Sequence, residues 1–191
     1  MLCLSKPRRA AIDAFLARHS ESEFSYPEVG FTRQKAPHGY TVDHNRVCLG
    51  HGLDVFERAK TAIQRWKMFD ISWANLCWPD AVLEAGVNVA AMFTHFAFWS
   101  MNAARIVYVI DEQEHTRRFG FAYGTLHDHA EIGEERFSVE FDPSDGGVYY
   151  DIYAFSRPGM LARLGFPLAR ALQKRFVRDS KKAMMRAVQA N

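Results

Sequence analysis

The period of the hydrophobic pattern changes along this chain, and that change most constrains its fold. From position 71 onward, apolar side chains recur at every second residue rather than every third or fourth, which is typical of β-strands. Polar loops of five to seven residues separate the later segments, a length that joins antiparallel neighbours. The pattern therefore predicts an antiparallel sheet of sequential strands. The predicted strands are 71–77, 87–96, 105–111, 118–126, 134–141 and 148–156.

Segments with helical spacing lie on both sides of this run of strands. The predicted helices are 7–19, 53–69 and 166–190, and one further strand is predicted at 40–49. In the last helix, Leu168, Leu172 and Phe176 begin an apolar stripe. Strands bracketed by helices indicate the α+β class. We therefore predict a single domain over 1–191, in which a curved antiparallel sheet grips the long C-terminal helix and an N-terminal helix within 1–20 packs on it.

The composition is that of a globular chain. Its 191 residues are 48% hydrophobic and 14% aromatic, which excludes disorder and supplies a core that needs no disulfide or structural metal. The cysteines Cys3, Cys48 and Cys77 are widely spaced and form no CxxC pair. The sequence shows neither an export signal nor a membrane-spanning run, so we expect a cytoplasmic protein. No cofactor is predicted, and the oligomeric state is left open.

The strand at 118–126 has two very different faces. Gly120, Ala122 and Gly124 share one face, whereas the other carries large side chains such as Phe121. A face without side chains lets a helix, a backbone or a ligand approach closely. Two alternatives follow: the C-terminal helix packs tightly on this face, or a ligand cavity of about 300 Å³ or more lies beneath the helix.

Two positions are candidates for acid–base chemistry. Glu135 begins the apolar face of strand 134–141, where a carboxylate either finds a partner or has its pKa raised; the alternative is a strand-end residue in water. His51 lies between two glycines before a helix, a place that suits an anion or a simple bend. Asp151 is predicted to pair with Arg136 across neighbouring strands.

Several aromatic side chains carry polar atoms inside predicted strands. Such residues suit a pocket that is partly polar and partly aromatic, although buried tyrosines also pair with backbone groups. With Tyr26 and two arginines they make up the predicted ligand-binding set. The full set is Tyr26, Trp73, Tyr108, Tyr123, Arg136, Tyr153 and Arg157.

Two charged segments are less informative. His127, His129 and Glu131 would point the same way in an extended segment, but they lie in a polar loop, and no metal site is predicted. From Arg157 to the end, the chain has nine basic residues and one acidic residue. The predicted helix 166–190, which carries most of these basic residues, is either solvated, paired with the sheet, or a binding surface for anionic lipid or RNA. No motif favours nucleic acid, and a peripheral membrane contact is left open.

Seven motifs also resemble an uncharacterised bacterial and plant family of unknown function. They are YPEVG (26–30), LGHG (49–52), WKMF (66–69), RIVYV (105–109), FGFAYGTL (119–126), GEERF (133–137) and AFSRP (154–158). The element order is similar to that of the helix-grip superfamily of START-related (SRPBCC) and birch-pollen-allergen-like proteins. That resemblance implies binding of apolar ligands between sheet and terminal helix, and the superfamily includes aromatase/cyclase-type enzymes.

Our leading expectation is therefore a protein that binds a small hydrophobic or amphipathic molecule between the sheet and the C-terminal helix. The first alternative is a cyclase- or hydrolase-type enzyme of the same fold that uses Glu135 or His51 as acid or base. The second alternative is binding of anionic lipid or RNA by the basic helix.

Overall fold

Eight antiparallel strands form one curled sheet in the computed structural model, which describes residues 1–78, 80–95, 98–114, 116–159 and 166–189. The strands are β1 (Leu2–Cys3), β2 (Thr41–His51), β3 (Ala74–Leu76), β4 (Asn88–His95), β5 (Phe98–Glu112), β6 (Arg117–Thr125), β7 (Glu131–Asp142) and β8 (Gly147–Pro158). The helices are α1 (Arg9–Arg18), α2 (Leu53–Gln64) and α3 (Phe166–Gln189). The predicted α+β class, with an antiparallel sheet and a long C-terminal helix, is confirmed.

The sheet order is β2-β8-β7-β6-β5-β4-β3, with β1 added beside β5. Strands β3 to β8 pair with their neighbours in sequence, as their short loops predict. β2 instead joins the sheet beside β8, more than a hundred residues later in the chain. No helix of the described ranges is long and apolar enough to cross a membrane.

Two predicted elements have bounds that are wrong by five residues or more. The helix expected over 53–69 ends at Gln64, because Trp66 takes a left-handed conformation (φ 53°) and a short 3-10 turn follows at Lys67–Phe69. The buried Trp66 indole N–H donates to the carbonyl of Ala81 at 2.8 Å, which accounts for this bend. The strand expected over 105–111 begins at Phe98, because residues 98–104 pair with β4 in a hairpin.

Helices α2 and α3 cover one side of the sheet, which we call the inner face. Its core is a cluster of aromatic rings contributed by the sheet, the 3-10 turn and α3. Phe137 on β7 lies 5.6 Å from Phe121, 6.0 Å from Phe69 and 6.4 Å from Phe176, measured between ring centroids. These contacts fix α3 over the middle strands.

The opposite side, the outer face, is closed by the N-terminal part of the chain. Ile12 and Phe15 of α1 pack on β4 and β5, and residues 24–40, here called the covering segment, lie over β6 to β8. A Cβ at Gly124 would overlap the Tyr26 hydroxyl and come within 2.9 Å of the Phe24 ring. The glycine/alanine face of β6 is therefore the outer one, and both alternatives for it were wrong. At Gly124 this face is occupied by the covering segment and not by α3 or a ligand space.

Candidate functional site

A cavity of about 210 Å³ lies between the inner face and α3. Its wall is mainly apolar, and a few polar side chains enter from β2, β6 and β7. The volume is below the 300 Å³ that the sequence led us to expect and below the usual range for drug-sized ligands, so the space suits a smaller molecule. The apolar wall includes Trp73, Leu76, Phe93, Ala104, Ile152 and Phe176, and the polar wall includes Asp43, Tyr123, His129, Glu131 and Glu135.

Glu135 is the central polar group of this cavity. It lies opposite Tyr123 in the β6–β7 register, and the Tyr123 hydroxyl donates to Glu135 Oε2 at 2.8 Å. Burial raises the pKa of Glu135 to about 7; the Tyr123 hydrogen bond acts in the opposite direction, and the charges of Asp43 and Glu131 add to the rise. At neutral pH this carboxyl therefore exists in both protonation states and can accept or donate a proton.

The cavity has a second polar end where the chain enters β7. Burial lowers the pKa of His129 to about 4, so its imidazole is neutral at pH 7. The backbone N–H of Glu131 donates to His129 Nδ1 at 3.0 Å. Burial also raises the pKa of Glu131, against the effects of Ser156 and Arg170.

The loop histidines do not form a metal site in the described residues. His127 is exposed, and no group of three metal-ligating side chains is found in the parts of the chain described. His129 and Glu131 instead border the cavity.

Glu134, the neighbour of Glu135, is buried on the outer face by the covering segment. Its carboxylate accepts hydrogen bonds from the Tyr26 hydroxyl (2.7 Å), Gly30 N (2.7 Å), Thr32 N (2.9 Å) and the Thr32 hydroxyl. The Thr32 hydroxyl also lies 2.7 Å from the Tyr108 hydroxyl. Tyr26 and Tyr108, both predicted to bind a ligand, therefore belong to a closed polar network outside the cavity.

Three further residues of the predicted ligand-binding set also lie on the outer face. Arg136 donates to Asp151 Oδ1 at 3.0 Å, which confirms the predicted cross-strand pair, and it donates to the Thr32 carbonyl at 2.7 Å. The Tyr153 hydroxyl accepts from a backbone N–H of the covering segment at 3.2 Å. Arg157 is exposed, with its guanidinium 5.0 Å from the ring centroid of Tyr40.

Trp73 and Tyr123 are the predicted ligand-binding residues that do line the cavity. The Trp73 indole N–H donates to Asp179 Oδ2 at 3.0 Å, which ties α3 to the edge of the cavity. His51 is exposed at the far end of β2, eight residues beyond the cavity-lining Asp43. That separation is roughly 27 Å along a strand, so His51 cannot act on a ligand held beside Glu135.

Asp43 was missed by the sequence reasoning, although a signal was available. It alternates with Asn45, Val47 and Leu49 on one face of β2, and the apolar members of that series mark it as the inner face. Arg170 of α3 donates to both carboxylate oxygens of Asp43, to Oδ1 at 2.5 Å. The pairing of the basic helix with the sheet, one of our alternatives, is thus present at this position.

Four basic residues of α3 border a groove of about 290 Å³ between the helix and β2. The groove adjoins the cavity, since Asp43 and Gln173 line both. Binding of anionic lipid or RNA there stays a prediction. The basic side chains along the groove are Arg170, Lys174, Arg178 and Lys181.

Solved structures that resemble this chain share little sequence with it. Ara h 8.0201 matches with a TM-score of 0.46 and 12% identity, over 80% of this chain and 100% of its own. A norcoclaurine synthase mutant from Thalictrum flavum has a TM-score of 0.46 and 10% identity, over 81% and 98%. A hypothetical protein from Helicobacter pylori has a TM-score of 0.48 and 12% identity, over 87% and 97%.

Relatives in sequence match over most of the chain. A UPF0548 protein of Dictyostelium discoideum is 33% identical over 210 residues, covering 100% of this chain and 97% of its own. A UPF0548 protein of Deinococcus radiodurans is 34% identical over 200 residues, covering 98% of each. One from Arabidopsis thaliana is 37% identical over 158 residues, covering 80% of this chain and 76% of its own. The model of the domain of unknown function DUF1990 matches residues 25–183, and the chain belongs to this DUF1990/UPF0548 family.

Proposed function

We propose that this protein binds a small hydrophobic or amphipathic molecule in the cavity between the sheet and α3. The observation that supports this most is the make-up of the wall, in which aromatic and aliphatic side chains surround the inward-facing Glu135–Tyr123 pair. Apolar walls with a few placed polar groups are typical of small-molecule sites, where the polar groups fix orientation. The volume of about 210 Å³ favours a ligand of one ring or a short chain.

Native mass spectrometry tests this proposal. The protein is incubated with a pool of single-ring and short-chain compounds that carry neutral, cationic or anionic groups, and we expect retention with one ligand per chain. Ala169→Phe, on the cavity side of α3, should abolish retention. Ala171→Phe is the matched control, because this exposed position two residues away does not line the cavity. Retention that survives Ala169→Phe, or no retention of any compound, would contradict the proposal.

A second candidate function is acid–base catalysis on the same ligand. The observation in its favour is Glu135, which faces the cavity beside the Tyr123 hydroxyl and has its pKa raised by burial to about 7, near the optimum for a general acid or base. Its test is Glu135→Gln on any reaction found for a bound compound. Turnover should fall at least a hundredfold, which is more than the accompanying change in the dissociation constant. Unchanged turnover would leave binding as the function.

A further inference from the structure

The charged side chains that enter the cavity are acidic. Asp43 lines it from β2, and Glu131 and Glu135 line it from β7. Glu134 also borders it, but its carboxylate is held on the outer face by the covering segment. Among the described residues, the wall contains no lysine or arginine, and His129 is neutral at pH 7. In the described part of the chain, the titratable groups of the wall are therefore acidic or neutral.

The three carboxylates differ in how well they are compensated. Asp43 is paired with the guanidinium of Arg170, and Glu131 is influenced by the same guanidinium and by Ser156. Glu135 accepts one hydrogen bond within the described residues, from the Tyr123 hydroxyl to Oε2, and Oε1 receives none. A buried carboxylate with so little compensation either takes up a proton or pairs with a cation.

Among the described residues, the titratable groups that act on Glu135 supply no cation. Tyr123 faces it from β6, Glu131 from its own strand, Tyr150 from β8 and Asp43 from β2. On α3, the guanidinium of Arg170 is directed to Asp43. Within the described residues, a compensating charge for the Glu135 carboxylate can therefore come from a molecule bound in the cavity.

The basic groove outside the cavity would favour an anionic ligand, whereas the carboxylates inside would favour a cationic one. The strengths of these two effects must therefore be compared. Lys174 and Arg178 are exposed, and water and salt screen their charges strongly. Glu135 is enclosed by protein, where a charge interacts far more strongly with a bound group. The interior carboxylates therefore decide the charge of a ligand that enters the cavity.

We infer that the cavity selects small apolar amines, with the ligand's ammonium group paired to Glu135 and its apolar body against the aromatic wall. The inference rests on the binding function proposed above. Trp73, Phe93 and Phe176 supply that wall. An ammonium also brings hydrogen-bond donors for Glu135 Oε1.

This pairing makes binding depend on pH in a defined direction. An alkyl ammonium stays charged up to about pH 10, so between pH 6 and 8 Glu135 is the group that changes. Binding of the cation requires the carboxylate, and burial raises the pKa of Glu135 to about 7. Affinity for an amine should therefore rise about tenfold from pH 6 to pH 8, with release of a proton at the lower pH.

Isothermal titration calorimetry of the full chain tests the inference with three compounds of equal length: 3-phenylpropylamine, 3-phenylpropan-1-ol and 3-phenylpropionate. Titrations at pH 6 and 8, each in two buffers of different ionisation enthalpy, measure affinity and proton release. At pH 8 the amine should bind at least tenfold more tightly than the alcohol. Glu135→Gln, which still accepts the Tyr123 hydrogen bond, should remove the preference for the amine and its pH dependence while the alcohol still binds.

The outcomes separate this inference from the function beneath it. If the alcohol or the carboxylate binds as tightly as the amine at pH 8, the charge selection is wrong and the binding function stands. If 3-phenylpropionate binds most tightly, the basic groove and not Glu135 determines the charge of the ligand. If none of the three compounds binds, the compounds retained from the larger pool provide the same test. Retention of cationic compounds supports the inference, and retention of neutral or anionic compounds contradicts it. If nothing in the pool is retained, the binding function and the inference both fail.

Discussion

Glu134 and Glu135 are adjacent in sequence and lie in the same strand, yet their surroundings differ in almost every respect. Glu134 points to the outer face and accepts four hydrogen bonds from the covering segment. Glu135 points to the inner face and accepts one, from Tyr123. Burial raises the pKa of Glu135 to about 7, because little compensates its charge. The two carboxylates therefore differ in the number of hydrogen-bond donors that meet them.

The difference also assigns roles to the two sides of the sheet. The outer face is filled, since its polar groups pair with one another and Gly124 of β6 admits the covering segment. The inner face keeps unfilled volume and an incompletely paired acid. We expect changes on the outer face to affect the free energy of unfolding, and changes on the inner face to affect ligand binding and pH dependence.

The largest expected effect is that of Glu134→Gln. The amide group would turn an N–H₂ toward the donors from Gly30 or Thr32 and leave buried N–H groups without an acceptor. We expect a loss of about 3 kcal/mol or more in the free energy of unfolding, measured by urea denaturation. Glu140→Gln on the same strand is the control; its partners Arg46 and Arg118 lie near the surface, so about 1 kcal/mol or less is expected. Equal losses in the two variants would contradict the assignment.

Gly124→Ala tests the contact between β6 and the covering segment on the outer face. The new methyl group would collide with the Tyr26 hydroxyl and the Phe24 ring. Because an added group in a well-packed site is destabilising, we expect the free energy of unfolding to fall by about 1–3 kcal/mol. Urea denaturation measures the loss, and ligand retention should be unchanged because this face lies outside the cavity. Because the hydroxyl is the closest obstacle, the double variant with Tyr26→Phe should lose less stability than the two single losses added together. A variant as stable as the parent would mean that the covering segment does not pack here.

Alternation along the strands was enough to predict most of the fold and the faces of most strands. It predicted that Glu135 shares a strand face with Phe137 and Val139, and that Arg136 pairs with Asp151 across strands, as in the structure. It did not show which face met α3, because a glycine face admits any close neighbour. The assignment of Gly120 and Gly124 to the helix side failed for that reason.

The candidate site could be predicted only in part, because its contacts join distant segments. Tyr26 reaches Glu134 over 108 positions, and nothing in a local pattern specifies that pairing. The seven resembling motifs contain both residues, yet a motif gives no contact. Asp43 came to the cavity because β2 pairs with β8, a crossover that short-loop reasoning does not foresee. Tyr123 and Glu135 were both candidates, but their hydrogen bond depends on the register of β6 against β7.

Glu135→Gln should have the opposite effect to Glu134→Gln at alkaline pH. Because the pKa of Glu135 rises from 4.5 to about 7 on folding, its stabilising contribution is complete below pH 4.5 and is lost as the pH rises through 7. At pH 8 the variant should therefore be more stable than the parent by about 1–3 kcal/mol, and the two should be equal near pH 4.5. Urea denaturation at both pH values measures this, with Asp111→Asn as an exposed control. A loss of stability at pH 8 would show that Glu135 has compensation beyond Tyr123.

The smallest effects come from removing one hydroxyl on each side, and their pH dependence sharpens the comparison. Tyr26→Phe takes one of four hydrogen bonds from Glu134 and should cost about 1–2 kcal/mol at both pH 6 and pH 8. Tyr123→Phe takes the hydrogen bond that favours the charged form of Glu135, so it should cost about 1 kcal/mol at pH 8 and less at pH 6, where that carboxyl is mostly protonated. The pKa of Glu135 should also rise, which ¹³C NMR of its carboxyl can follow. If the two substitutions show the same dependence on pH, the two glutamates do not differ in the way their surroundings indicate.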